Sequence, residues 1–64
     1  MDWIKVYETN KLTNAEMMKI ILGDNGVNSV IINKQDSSYG FGYIELFVDL
    51  KDKDIALQII KESE

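Results

Sequence analysis

Two short alternating runs, Asn28–Asn33 and Tyr43–Asp49, flank a polar, glycine-bearing segment, Lys34–Gly42. Runs rich in β-branched and aromatic residues, bounded by turn residues, read as strands, and two in succession read as a hairpin. In the first run Val30 and Ile32 alternate with Ser29 and Ile31. In the second, Ile44, Leu46 and Val48 alternate with Tyr43, Glu45 and Phe47. A two-stranded hairpin is not stable alone in water, so the remaining residues must cover and extend it.

The flanking segments supply that cover. Trp3–Tyr7 alternates and reads as another strand, with Ile4 and Val6 on one side and Trp3, Lys5 and Tyr7 on the other. Thr13-Asn14-Ala15-Glu16 fits a capping box, with Asn10 a competing cap one turn earlier. A helix then runs to Asp24, where Asn25-Gly26 supplies a stop signal. Ala15, Met18, Ile21 and Leu22 share one helical stripe and form its inner face. Met17 and Ile20 fall on a flank, either as part of a wide core stripe or as a contact for another chain. Asp49–Lys53 reads as a turn with an acidic helix start, followed by a second helix to about Glu62. Its inner face carries Ile55, Ala56, Ile59 and Ile60.

The order β-α-β-β-α, with a right-handed crossover, sets the first two strands parallel and inserts the third antiparallel between them. The expected fold class is α+β, a ferredoxin-like split β-α-β-β-α. It has a three-stranded antiparallel sheet of order 1-3-2, two helices on one face and no fourth strand. The helices are expected to cover Ile4, Val6, Val30, Ile32, Ile44, Leu46 and Val48. The other face is then expected to carry Trp3, Tyr7, Ile31, Tyr43 and Phe47. Four aromatics on one open face exceed scattered surface apolars and point to an interaction surface. The free edge of the first strand is a second opening for association.

Sixty-four residues make one domain, spanning 1–64. A chain this short buries only about 60% of its unfolded surface and gains from outside support. With no Cys and no His, neither a disulfide nor an imidazole metal site supplies it, which leaves a partner chain. A homodimer is the expected assembly, because two-fold pairs are the commonest. The same two absences remove Ser-His, Cys-His and zinc-water chemistry, so the expectation is a non-enzyme without cofactor or metal. A net charge of −4, with no Arg and scattered Lys, disfavours nucleic acid. No apolar run reaches the ~20 residues of a membrane span, and a cytoplasmic location is expected.

The Lys34–Gly42 loop exceeds what a tight hairpin needs, and long loops often carry recognition. Asp36, Ser37, Ser38, Tyr39, Gly40, Phe41 and Gly42 are its candidate ligand- or partner-binding residues. Gly40 and Gly42 could present backbone N–H groups to an anion, or they could simply ease re-entry into the strand.

Five segments together resemble a known family. They are Trp3-Ile4-Lys5-Val6-Tyr7, Ala15-Glu16, Asp24-Asn25-Gly26-Val27, Asp36-Ser37-Ser38-Tyr39 and Gly42-Tyr43-Ile44-Glu45-Leu46. The chain is similar to the putative prokaryotic signal-transducing protein family, a small bacterial domain. The resemblance implies a ferredoxin-like fold related to the nitrogen-regulatory PII proteins, whose signalling loop also joins strands two and three. It implies no catalytic residues. Separately, Tyr39-Gly40-Phe41-Gly42-Tyr43-Ile44-Glu45-Leu46 resembles the third-strand motif of RNA-recognition domains. There Phe41 and Tyr43 would face the open side and stack bases. Tyr39 stands where that motif has a basic residue, and Lys5 stands where a stacking aromatic is wanted.

The leading expectation is therefore a bacterial regulatory or signal-transducing module that binds other proteins and self-associates through its sheet. A single-stranded RNA binder on the aromatic face is one alternative, and a small-anion or nucleotide sensor at residues 34–42 is another.

Overall fold

A computed structural model describes residues 2–35 and 42–64. The elements are β1 (Trp3–Thr9), α1 (Leu12–Asp24), β2 (Ser29–Asn33), β3 (Ile44–Asp49), a 3-10 turn (Leu50–Asp52) and α2 (Lys53–Ser63). The sheet has the order β1-β3-β2 with both pairs antiparallel. The expected α+β architecture is the one found.

Why α1 stops where it does is plain from the backbone. Val27 N–H donates to Leu22 O and Gly26 N–H to Gly23 O, while Gly26 takes φ +79°. That is a Schellman motif, and its usual apolar contact is present because Leu22 and Val27 are both in the core cluster. The start differs from expectation. Lys11 occupies the N-cap without a side-chain bond, and the Thr13–Glu16 capping box does not form. Instead Thr9 Oγ1 accepts from Lys11 N–H (3.2 Å) and from Asn14 Nδ2 (3.4 Å), which turns the chain into the helix earlier. Before α2, Asp49 accepts from Lys51 N–H at 3.0 Å and caps the 3-10 turn.

Both helices bury their apolar stripes against β3. Met18, Leu22, Ala56, Ile59 and Ile60 meet Leu46 and Val48, with Val27 closing one end. Ile55, expected on the inner face of α2, is exposed instead. The buried arc runs through Ala56, Ile59 and Ile60, and at 100° per residue Ile55 falls beyond its edge. Met17 and Ile20 are 61% and 64% exposed, so neither belongs to the core.

The faces of two strands are corrected. In β2, Ile31 pairs with Leu46 and packs on the core, whereas Val30 and Ile32 lie on the helix-free face. Cross-strand partners share a face. β3 turns Ile44, Leu46 and Val48 inward, so its pairing with β2 fixes the phase of β2. Alternation alone could not, because either phase puts an aliphatic inside. In β1 the register slips between Lys5 and Tyr7. This bulge moves Tyr7 to the helix side, opposite Leu46, where it packs against the core beside Val6.

Candidate interaction surface

The helix-free face is a small grid. β1 contributes Trp3, Lys5 and Glu8; β3 contributes Asp49, Phe47 and Glu45, with Tyr43 just ahead of it; β2 contributes Val30 and Ile32. Of the expected contact residues, Trp3, Tyr43 and Phe47 stand on this face, and Tyr7 and Ile31 do not. Val30 (41% exposed) and Ile32 (42%) replace them. No spacing within one segment assigns them, because only the pairing with β3 chooses the phase of β2.

Trp3, Val30, Ile32 and Phe47 line a shallow groove of about 330 Å³ that is almost wholly apolar. Beside it lies a charged cluster that residue patterns did not single out. Glu45, near the start of the central strand, is only 8% exposed. Lys34 Nζ reaches its Oε1 at 2.8 Å, and Lys5 Nζ reaches its Oε2 at 3.3 Å and Glu8 Oε1 at 3.2 Å. The Lys34 contact is close but off the hydrogen-bonding angle, so Oε1 is ion-paired rather than fully bonded. A carboxylate set among apolar side chains needs such partners.

The two ammonium groups govern its ionisation. Lys34, with Lys5 behind it, holds the Glu45 carboxyl below the ordinary carboxylate range, against burial that pushes it up. Lys5 is raised in turn, chiefly by Glu8 and then by Glu45. Two lysines and two glutamates make this part of the face locally neutral within a chain of charge −4. Tyr43 is exposed on the far side of Glu45 from the groove.

Six of the seven candidate loop residues, Asp36, Ser37, Ser38, Tyr39, Gly40 and Phe41, lie outside the described residues. The seventh, Gly42, belongs to the stem. It adopts φ +102°, and a Cβ there would stand 2.4 Å from Lys34 O. Glycine is required by the backbone at this position, with no ligand invoked. On the other side of the stem Gln35 N–H bonds Asn33 Oδ1, and Gln35 Nε2 donates to Asn10 O, both at 2.8 Å. The loop therefore springs from a stem pinned to the β1–α1 turn.

Among the described residues no cluster of acids is arranged to hold a metal, and no helix is long and apolar enough to cross a membrane. Comparison with curated proteins and with solved structures returns no match. Comparison with family models does, and it covers residues 3–64, from the first residue of β1 to the residue after α2. On that match the chain belongs to the family described as putative prokaryotic signal transducing protein.

Proposed function

We propose that this chain is a non-enzymatic signal-transducing and protein-interaction module, bacterial and cytoplasmic, that self-associates through its sheet. The observation that carries this reading is the groove of Trp3, Val30, Ile32 and Phe47, bordered on its Glu45 side by charges that already neutralise one another. Such a surface has lost the repulsion that a chain of net charge −4 would otherwise oppose to its own copy. It also lacks free cations for a polyanion: Lys5 and Lys34 are both committed to Glu45, which favours protein over RNA as the partner.

The test is solution mass by light scattering over concentrations up to about 1 mM, the regime of weak association. The expected result is a concentration-dependent rise towards twice the 7.3 kDa chain mass. Ile32→Lys should return the mass to that of one chain while leaving the circular-dichroism spectrum unchanged. A wild type that stays monomeric throughout overturns the reading.

A further inference from the structure

Resting on that self-association reading, we infer that two copies join through the free edge of β2, antiparallel about a two-fold axis at Ile31, forming a continuous six-stranded sheet.

The two edges of the sheet differ. The β1 edge carries a bulge and the charged residues Lys5 and Glu8, devices that discourage strand addition. The β2 edge has none of them. Ser29-Val30-Ile31-Ile32-Asn33 contains no charge, no proline and no register shift against β3. It is short, regularly paired with β3 and rich in β-branched residues.

The direction of its free backbone groups fixes the register. Lys34 N–H donates to Tyr43 O at 2.9 Å, and the pairing sequence continues inward as Asn33 opposite Ile44 and Ile32 opposite Glu45. In an antiparallel ladder hydrogen-bonded and non-hydrogen-bonded pairs alternate. Residues 34, 32 and 30 therefore bond β3, and residues 29, 31 and 33 direct N–H and C=O away from the sheet. Three outward positions centred on Ile31 are self-complementary. A second copy placed antiparallel bonds Ile31 to Ile31 of the second copy, and Ser29 to Asn33 of the second copy in both directions. This register pairs all five residues of the strand.

Side chains agree with the backbone on both faces. On the open face Val30 comes to stand beside Ile32 of the second copy, so two apolar grooves merge into one surface across the joint. On the helix side Ser29 Oγ is buried and has no hydrogen-bond partner among the described residues. The proposed register sets the Asn33 carboxamide of the second copy beside it and supplies a donor. The merged face, with its two Trp3–Phe47 grooves, is then what a downstream protein would meet.

Val30 and the Ile32 opposite it form a non-hydrogen-bonded pair, with Cα atoms about 4.5 Å apart. That spacing suits a disulfide, and the chain has no cysteine of its own to interfere. The experiment mixes Val30→Cys chains with Ile32→Cys chains under mild oxidation, alongside each variant alone, and measures the mass of the uncrosslinked wild type. The expected result is a disulfide-linked heterodimer at least several-fold more abundant in the mixture than in either variant alone. A wild type that dimerises, with no excess crosslink in the mixture, overturns the β2 joint and leaves self-association standing. A monomeric wild type with no crosslink overturns both.

Discussion

Tyr7 stands directly across the sheet from Leu46, although Lys5, only two residues earlier, stands across from Phe47 on the opposite face. One inserted residue in β1 accounts for the change of side. The consequence is energetic. Tyr7 packs its ring against the core and helps line a recess with Met17, Met18 and Ile21. Tyr7→Ala should therefore lower folding stability by about 1–3 kcal/mol, less than the cost of a fully buried aromatic because the ring is only partly enclosed. Urea denaturation measures it. A change within about 0.5 kcal/mol, as expected of an exposed site, would put the ring back on the open face.

The charged cluster makes stability depend on pH with a definite sign. Glu45 is held below the ordinary carboxylate range by Lys34 and Lys5. A depressed folded-state value means that the contribution is fully present above the unfolded value of about 4.3 and is lost as pH falls through the folded one. Thermal midpoints of wild type and Glu45→Gln should therefore be furthest apart near neutrality and converge in acid. At the other end, Lys5 is raised, so its contribution holds below about 10.4 and is lost as pH rises through its folded value. Both lysines are substantially exposed, so added salt should narrow the neutral-pH difference. A separation that persists unchanged at pH 3 would show that the carboxylate charge is not what Glu45 contributes.

These features also mark where sequence patterns stopped being informative. The element order, the C-terminal stop of α1 and the inner stripe Ala15, Met18, Leu22 were legible because periodicity and glycine chemistry act locally, and the strand order followed from the handedness of the crossover. The face of β2 was not. Val30, Ile31 and Ile32 are consecutive aliphatics, and only pairing with β3 chooses between the phases. The bulge that moves Tyr7 is likewise a property of the paired strands, invisible in Trp3–Tyr7 alone. Ile55 was misplaced by a stripe drawn one residue too wide. The Glu45–Lys5–Lys34 cluster joins β3, β1 and the residue that follows β2, and no spacing within one segment could announce it.

Two glycines with positive φ separate a purely torsional requirement from a steric one. At Gly26 (φ +79°) an added Cβ meets nothing within 4 Å. At Gly42 (φ +102°) it would meet Lys34 O at 2.4 Å, a contact that needs the β2–β3 stem to move. Gly26→Ala should cost about 1–2 kcal/mol, the left-handed penalty of an L-residue. Gly42→Ala carries a comparable torsional penalty plus displacement of backbone against backbone, and should cost more. Equal losses in urea titrations of the two variants would mean that the stem yields without resistance.

Ile20 and Leu22 lie two residues apart on α1 and occupy opposite environments, the first 64% exposed and the second fully buried beneath Val27 and the sheet. Two residues turn a helix by about 200°, so both cannot face the core. Leu22→Ala removes side-chain volume from the cluster that also forms the Schellman contact, and should cost about 2–5 kcal/mol. Ile20→Lys replaces an apolar group already in water, and should leave stability within about 0.5 kcal/mol. Because the β2 joint does not involve the outer side of α1, the same Ile20→Lys variant should keep the wild-type dependence of mass on concentration. A variant that folds normally yet remains monomeric would move the self-association surface from the sheet to the Met17–Ile20 flank.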